Sequence, residues 1–121
     1  MANARTIHPL LGAVALLAAA PSWALAPDEL FRQVSPSVWQ VGTLDGQGKP
    51  IATGSAVVIA PATLVTNCHV LKGAARVVVR QHTATHAARL QHADTERDLC
   101  QLTAASLQAP AVPIAPAAAQ V

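Results

Sequence analysis

Ile51–Ala60 reads IATGSAVVIA, and after the Ala60–Pro61 break Thr63–Thr66 reads TLVT. Both runs are short, rich in β-branched residues and bounded by turn formers, the pattern of strands. The same reading extends outward to Val38–Leu44 (VWQVGTL), Arg76–Gln81 (RVVVRQ), His86–His92 (HAARLQH) and Leu99–Thr103 (LCQLT). Asp45-Gly46-Gln47-Gly48 and Leu71-Lys72-Gly73 supply further turns. Six short strands with no long amphipathic helix between them predict an all-β domain, a small antiparallel barrel or sandwich.

Composition bounds what such a domain can hold. The chain has 121 residues and a mass of 12.4 kDa, enough for one small domain. Apolar residues make up 52% of it, but 27 residues are alanine and only Trp23, Phe31 and Trp39 are aromatic. The core must come from Val, Leu and Ile, and it must be thin. Eight basic residues stand against six acidic ones, with no basic run, which argues against a nucleic-acid partner. No acidic tail or polar low-complexity tract suggests disorder.

The ends read differently from the middle. Arg5 is followed by the uncharged run Leu10–Ala20 (LLGAVALLAAA) and by Pro21-Ser22-Trp23-Ala24. That is the layout of a secretory signal peptide over residues 1–24, cleaved after Ala24; the cut after Ala26 would leave Pro27 first. As a helix the run reaches about 16 Å, about half of a ~30 Å hydrocarbon core, so cleavage is expected over anchoring. The mature chain is then exported, periplasmic or secreted, and off the membrane. Residues 25–37 form a lead-in in which Asp28–Val34 (DELFRQV) predicts a short helix with Leu30, Phe31 and Val34 on one face, stopped by Ser35-Pro36. Residues 38–104 are the barrel. Residues 105–121 hold Leu107–Ala119 (LQAPAVPIAPAAA), an extended linker outside the core.

Two cysteines, Cys68 and Cys100, form an even count in a compartment that permits disulfides. They read either as a bridge, which would stabilise by roughly 3–4 kcal/mol in the chain-entropy account, or as two free buried thiols. Neither lies in a CxxC pair, so no zinc ribbon is read. His82 and His86 are split across a turn and His92 lies near a loop; no metal or other cofactor is assigned to them. His69 stands at a strand end and Asp98 at a strand start. A carboxylate that accepts the Nδ1 proton fixes an imidazole tautomer and leaves Nε2 free as a general base, yet a lone His and a lone Asp also read as a surface pair.

The run G-S-A-V-V-I, a short turn, L-V-T-N-C-H-V-L-K-G-A, a hydrophobic strand and then D-x-x-x-D-L-x-x-L resembles the trypsin-like serine proteases. It is most similar to their bacterial HtrA-type branch, over roughly Phe31 to Val121. The resemblance implies the first six-stranded barrel of a two-barrel fold, with His69 as general base and Asp98 as the residue that orients it. Asp98 is preferred to Asp94 because the Leu-x-x-Leu pattern follows Asp98. Two departures stand out. Cys68 directly before His69 and Cys100 two residues after Asp98 replace small or aliphatic residues. If the pair meets, the cysteines flanking it should be bridged.

The second departure concerns the nucleophile. The family's G-x-S-G-G motif does not occur, and Ser22, Ser35, Ser37, Ser55 and Ser106 lack glycine-lined surroundings for an oxyanion hole. The second barrel, which carries those parts, is expected to be missing. The chain reads as the amino-terminal half of a secreted serine endopeptidase, inactive alone: a fragment or the product of a broken gene. Its substrate would be a polypeptide once a second barrel completes it. The alternative is a non-catalytic secreted barrel that binds a peptide or protein partner.

Overall fold

The computed structural model describes residues 26–116; the signal-peptide reading of residues 1–24 lies outside them. A helix α1 (Pro27–Val34) and a 3₁₀ turn (Ser35–Ser37) lead into six strands. These are β1 (Val38–Leu44), β2 (Pro50–Ala60), β3 (Thr63–Thr66), β4 (Arg76–Gln81), β5 (Ala84–Asp94) and β6 (Leu99–Thr103). All neighbours pair antiparallel, and the sheet closes in the order β1-β2-β3-β6-β5-β4. Closure leaves no unpaired sheet edge, the exposed feature that most often leads strands to aggregate. The architecture is the all-β six-stranded barrel expected from the sequence.

Strand alternation fills the interior. On β1, Trp39, Val41 and Thr43 point inward, and Ala56, Val58, Leu64, Val79, Ala88 and Leu102 meet them. The largest wholly buried side chains are Leu64 and Leu102, so the core is thin, as the composition requires. The buried hydroxyls are satisfied. Thr43 Oγ1 accepts from the Ala52 amide at 3.1 Å, and Thr66 Oγ1 donates to the Ser55 carbonyl at 2.7 Å. The Asp45–Lys49 turn is held by Asp45 Oδ1, which accepts from the amides of Gln47 and Lys49, each at 2.9 Å.

Three expectations need correction. β5 runs from Ala84 to Asp94, beyond the predicted His86–His92, because it pairs with β4 from Gln81–Ala84 onward and with β6 as far as Asp94–Leu99. Cross-strand partners on both sides override the poor strand propensity of Ala and Asp. β2 likewise starts at Pro50, opposite Leu44. The short helix ends at Val34, stopped by Ser35-Pro36 as expected, and a 3₁₀ turn follows it; α1 buries no residue, and Phe31 stays 71% exposed.

The tail after β6 is also more than a linker. Leu107 is buried in the core cluster beside Ala104, Ser37 Oγ donates to the Pro110 carbonyl at 2.6 Å, and the Val112 amide donates to the Val58 carbonyl at 2.9 Å. One apolar side chain and a few backbone groups suffice to dock a segment that has no strand periodicity. No helix among the described residues is long and apolar enough to cross a membrane.

Candidate functional site

The site lies where β3 and β6 end together. These strands pair antiparallel with Thr66 opposite Cys100, so the residues just after β3 face those just before β6. After Thr66 the chain turns through Asn67 into a 3₁₀ turn, Cys68–Leu71, which carries His69. Val70 of that turn is buried against β2 at Gly54. A Cβ at Gly54 would stand 2.7 Å from Val70 Cγ2, so the seat exists only because residue 54 has no side chain.

Across from the turn, Asp98 precedes β6 with φ of 55°, in the left-handed region that aspartate tolerates better than most residues. The Asn67 side-chain amide donates to the Asp98 carbonyl at 3.0 Å. The Asp98 carboxylate is used on both oxygens. Oδ1 accepts from the His69 amide at 2.9 Å, and Oδ2 meets His69 Nδ1 at 2.5 Å. The His69 hydrogen bonds, its ring first and its amide second, hold the Asp98 carboxyl below the usual carboxylate range against an opposing cost of desolvation. The ring's charge and the Cys68 amide add to the lowering.

An ionised Asp98 can accept a hydrogen bond from Nδ1–H, and in that tautomer the Nε2 lone pair is free. The His69 side chain is 72% exposed, and Asp98 is its ring's only hydrogen-bond partner among the described residues. Asp94 is occupied differently: its carboxylate pairs with Arg97 Nη1 at 2.7 Å, and this contact lowers its pKa. The Asp94–Arg97 pair is solvent-exposed, of a kind worth little to stability. Cys68 and Cys100 are joined in a disulfide with Cα atoms 5.0 Å apart. Beside the pair is a shallow cleft bordered by Leu71, Leu90 and Ala93.

The described serines stand elsewhere. Ser37 is buried, Ser55 lies on β2, and Ser106 Oγ contacts His86 Nδ1 at 2.8 Å. The His86 ring also packs edge-on against Trp39, with centroids 5.5 Å apart. Sequence reasoning did not anticipate the His86–Ser106 contact, because the segment holding Ser106 has no periodic signal. It also passed over Asn67, whose role needs the β3–β6 register to be seen.

The profile of the trypsin-like peptidase domain family matches residues 54–121. A search of curated proteins by sequence finds no match. Among solved structures, the HtrA-type protease AlgW, in a variant form with a tripeptide, is 27% identical with a TM-score of 0.62, over 72% of this chain and 29% of that one. The active form of the Rv3671c protease from M. tuberculosis is 26% identical with a TM-score of 0.68, over 84% of this chain and 45% of that one. A serine endoprotease from Yersinia pestis, at 23% identity and a TM-score of 0.67 over 78% of this chain and 35% of that one, shows the shared fold. The chain thus spans less than half the length of each of these proteases. With this profile match and a closed six-stranded barrel of the kind that comes first in the two-barrel fold, the chain belongs to the trypsin-like peptidase family.

Proposed function

We propose that residues 38–104 are the general-base half of a serine endopeptidase site, with His69 as the base and Asp98 as the residue that orients it. The observation that carries this reading is the use of both Asp98 oxygens on His69, one on the ring Nδ1 and one on the backbone amide. A surface ion pair needs only the first contact; the second fixes the carboxylate relative to the chain that bears the ring. In the reaction, a serine Oγ attacks the peptide carbonyl while His69 Nε2 takes its proton. The imidazolium, stabilised by Asp98, then returns that proton to the leaving amine.

The nucleophile and the oxyanion hole belong to a second barrel bearing a G-x-S-G-G segment, which is not among these 121 residues. Alone, this chain is inactive. Residues 1–24 direct export, residues 25–37 lead in, and residues 105–121 lead toward the second barrel with Leu107 docked on the first. The substrate is a polypeptide, in keeping with the tripeptide present with one HtrA-type relative.

The test is labelling with a fluorophosphonate, which reacts only with an activated serine. The 121-residue chain should remain unlabelled. The same residues joined to a second barrel with an intact G-x-S-G-G serine should label and cleave a casein-type substrate, and His69→Ala should abolish both. Labelling of the completed protein that survives His69→Ala would refute the assignment.

A further inference from the structure

The two residues that flank His69 are both tied down, and by different means. Val70 is held by the seat at Gly54, and Cys68 by its bridge to Cys100 on β6. The turn needs such anchors because its own hydrogen bonds are long. The Val70 amide reaches the Asn67 carbonyl at 3.3 Å, and the Lys72 amide reaches the His69 carbonyl at 3.4 Å. The ring adds little packing of its own, being mostly exposed. Asp98 is likewise held in a left-handed conformation, which persists only where surrounding contacts over-determine it. Its fastenings are Asn67, His69 and the start of β6, where Cys100 is buried at 2% exposure.

The register of the barrel has supports besides this bridge. β3 and β6 pair from Thr63–Thr103 to Thr66–Cys100, and β6 is held on its other side by β5. The cross-link is placed at the one end of that ladder where His69 and Asp98 project.

Resting on the reading of these residues as a catalytic pair, we propose that the Cys68–Cys100 disulfide is a positioning element of the pair and a redox catch on it. Reduction by a dithiol would release it. One thiolate of the dithiol attacks the half-buried Cys68 sulfur and displaces the Cys100 thiolate. The second thiol then closes the reagent into its cyclic disulfide and frees Cys68. Two electrons and two protons pass from the dithiol to the protein, which ends with two thiols. Released from its covalent tie to β6, the Cys68–Leu71 turn keeps the Val70 seat and the exposed hydrogen bonds of Asn67 and the His69 amide to Asp98, and without the bridge these do not hold the ring at a fixed distance from Asp98.

The experiment follows the His69 Nδ1 proton by NMR in the oxidised chain, where the contact with Asp98 should shift it far downfield. Dithiothreitol should abolish that signal while circular dichroism still reports the barrel, and reoxidation should restore it. Cys68→Ala combined with Cys100→Val, which refills the buried site, should also lack the signal. Val79→Ala, across the barrel and comparably destabilising, should keep it. A downfield signal that survives both reduction and the paired substitution overturns the positioning role and leaves the catalytic pair standing. Unfolding of both the reduced and the refilled protein overturns it too, since the bridge would then hold the whole barrel. Absence of the signal in the oxidised chain defeats the pair itself, and the proposal with it.

Discussion

Two histidines of this barrel have a polar partner at close range, and they differ in what the partner is and how it is held. At the β3–β6 end, His69 faces a carboxylate whose other oxygen is already bonded to the His69 amide. At the β5–tail junction, His86 faces the hydroxyl of Ser106, and the tail there is docked chiefly by Leu107. A Ser beside a His looks at first like the more reactive combination. It lacks a carboxylate to orient the ring, and it engages Nδ1 with no acid behind it. Proximity of a nucleophile and a base is common; a base fixed in one tautomer by a clamped anion is not.

That contrast yields the largest expected effect. In the protein completed by a second barrel, His69→Ala should lower kcat by on the order of 10⁶, the scale found when the base of such a unit is removed. Asp98→Asn should cost about 10⁴, since the amide can impose the wrong tautomer. His86→Ala should change kcat by less than tenfold. Steady-state peptide hydrolysis measures all three, and equal losses at His69 and His86 would erase the distinction.

How much of this was legible beforehand follows from the same two regions. The His69 side could be read because its parts are local and patterned. Strand, turn and His form one run, Asp98 opens another strand, and a cysteine accompanies each. The barrel was legible for a related reason, since six short runs, four of them rich in β-branched residues, punctuated by turns leave few alternatives. The His86 side was not legible. Ser106 and Leu107 lie in an Ala- and Pro-rich stretch where nothing periodic marks a contact, and docking is decided by which groups the closed barrel leaves available. The Gly54 seat also escaped notice as a support for His69, because it depends on the distance between two backbones, which no pattern of side chains encodes.

The next effects are on stability, and they test whether the two regions are held as differently as they look. Leu107→Ala should cost about 2–4 kcal/mol in urea unfolding, as a buried leucine lost from a thin core. It should leave the downfield His69 proton in place. Gly54→Ala should cost about 1–3 kcal/mol by overpacking and should also weaken the His69 signal, because Val70 must give way. If Leu107→Ala were the substitution that disturbed His69, the tail and the pair would be one unit, and the comparison would fail.

The smallest effect is the one that depends on charge alone. The folded-state pKa of Asp98 is lowered from 3.8, mainly by the His69 ring and amide. A carboxylate depressed on folding contributes stability that is fully present above its unfolded pKa and is lost as pH falls through the folded value. The window therefore opens near 3.8 and extends below it. Asp94, lowered by Arg97, titrates in the same range, so its contribution has to be separated. Urea midpoints measured from pH 5 downward on the wild type, Asp98→Asn and Asp94→Asn make that separation. The wild type should lose stability relative to each variant as the pH drops, and the Asp98→Asn difference should disappear once His69 is also replaced by alanine, apart from the part owed to backbone amides. The Ser106 hydroxyl does not ionise in this range, so Ser106→Ala should run parallel to the wild type throughout. A pH-dependent gap at Ser106 equal to that at Asp98 would mean that the clamped carboxylate is not what sets the two histidines apart.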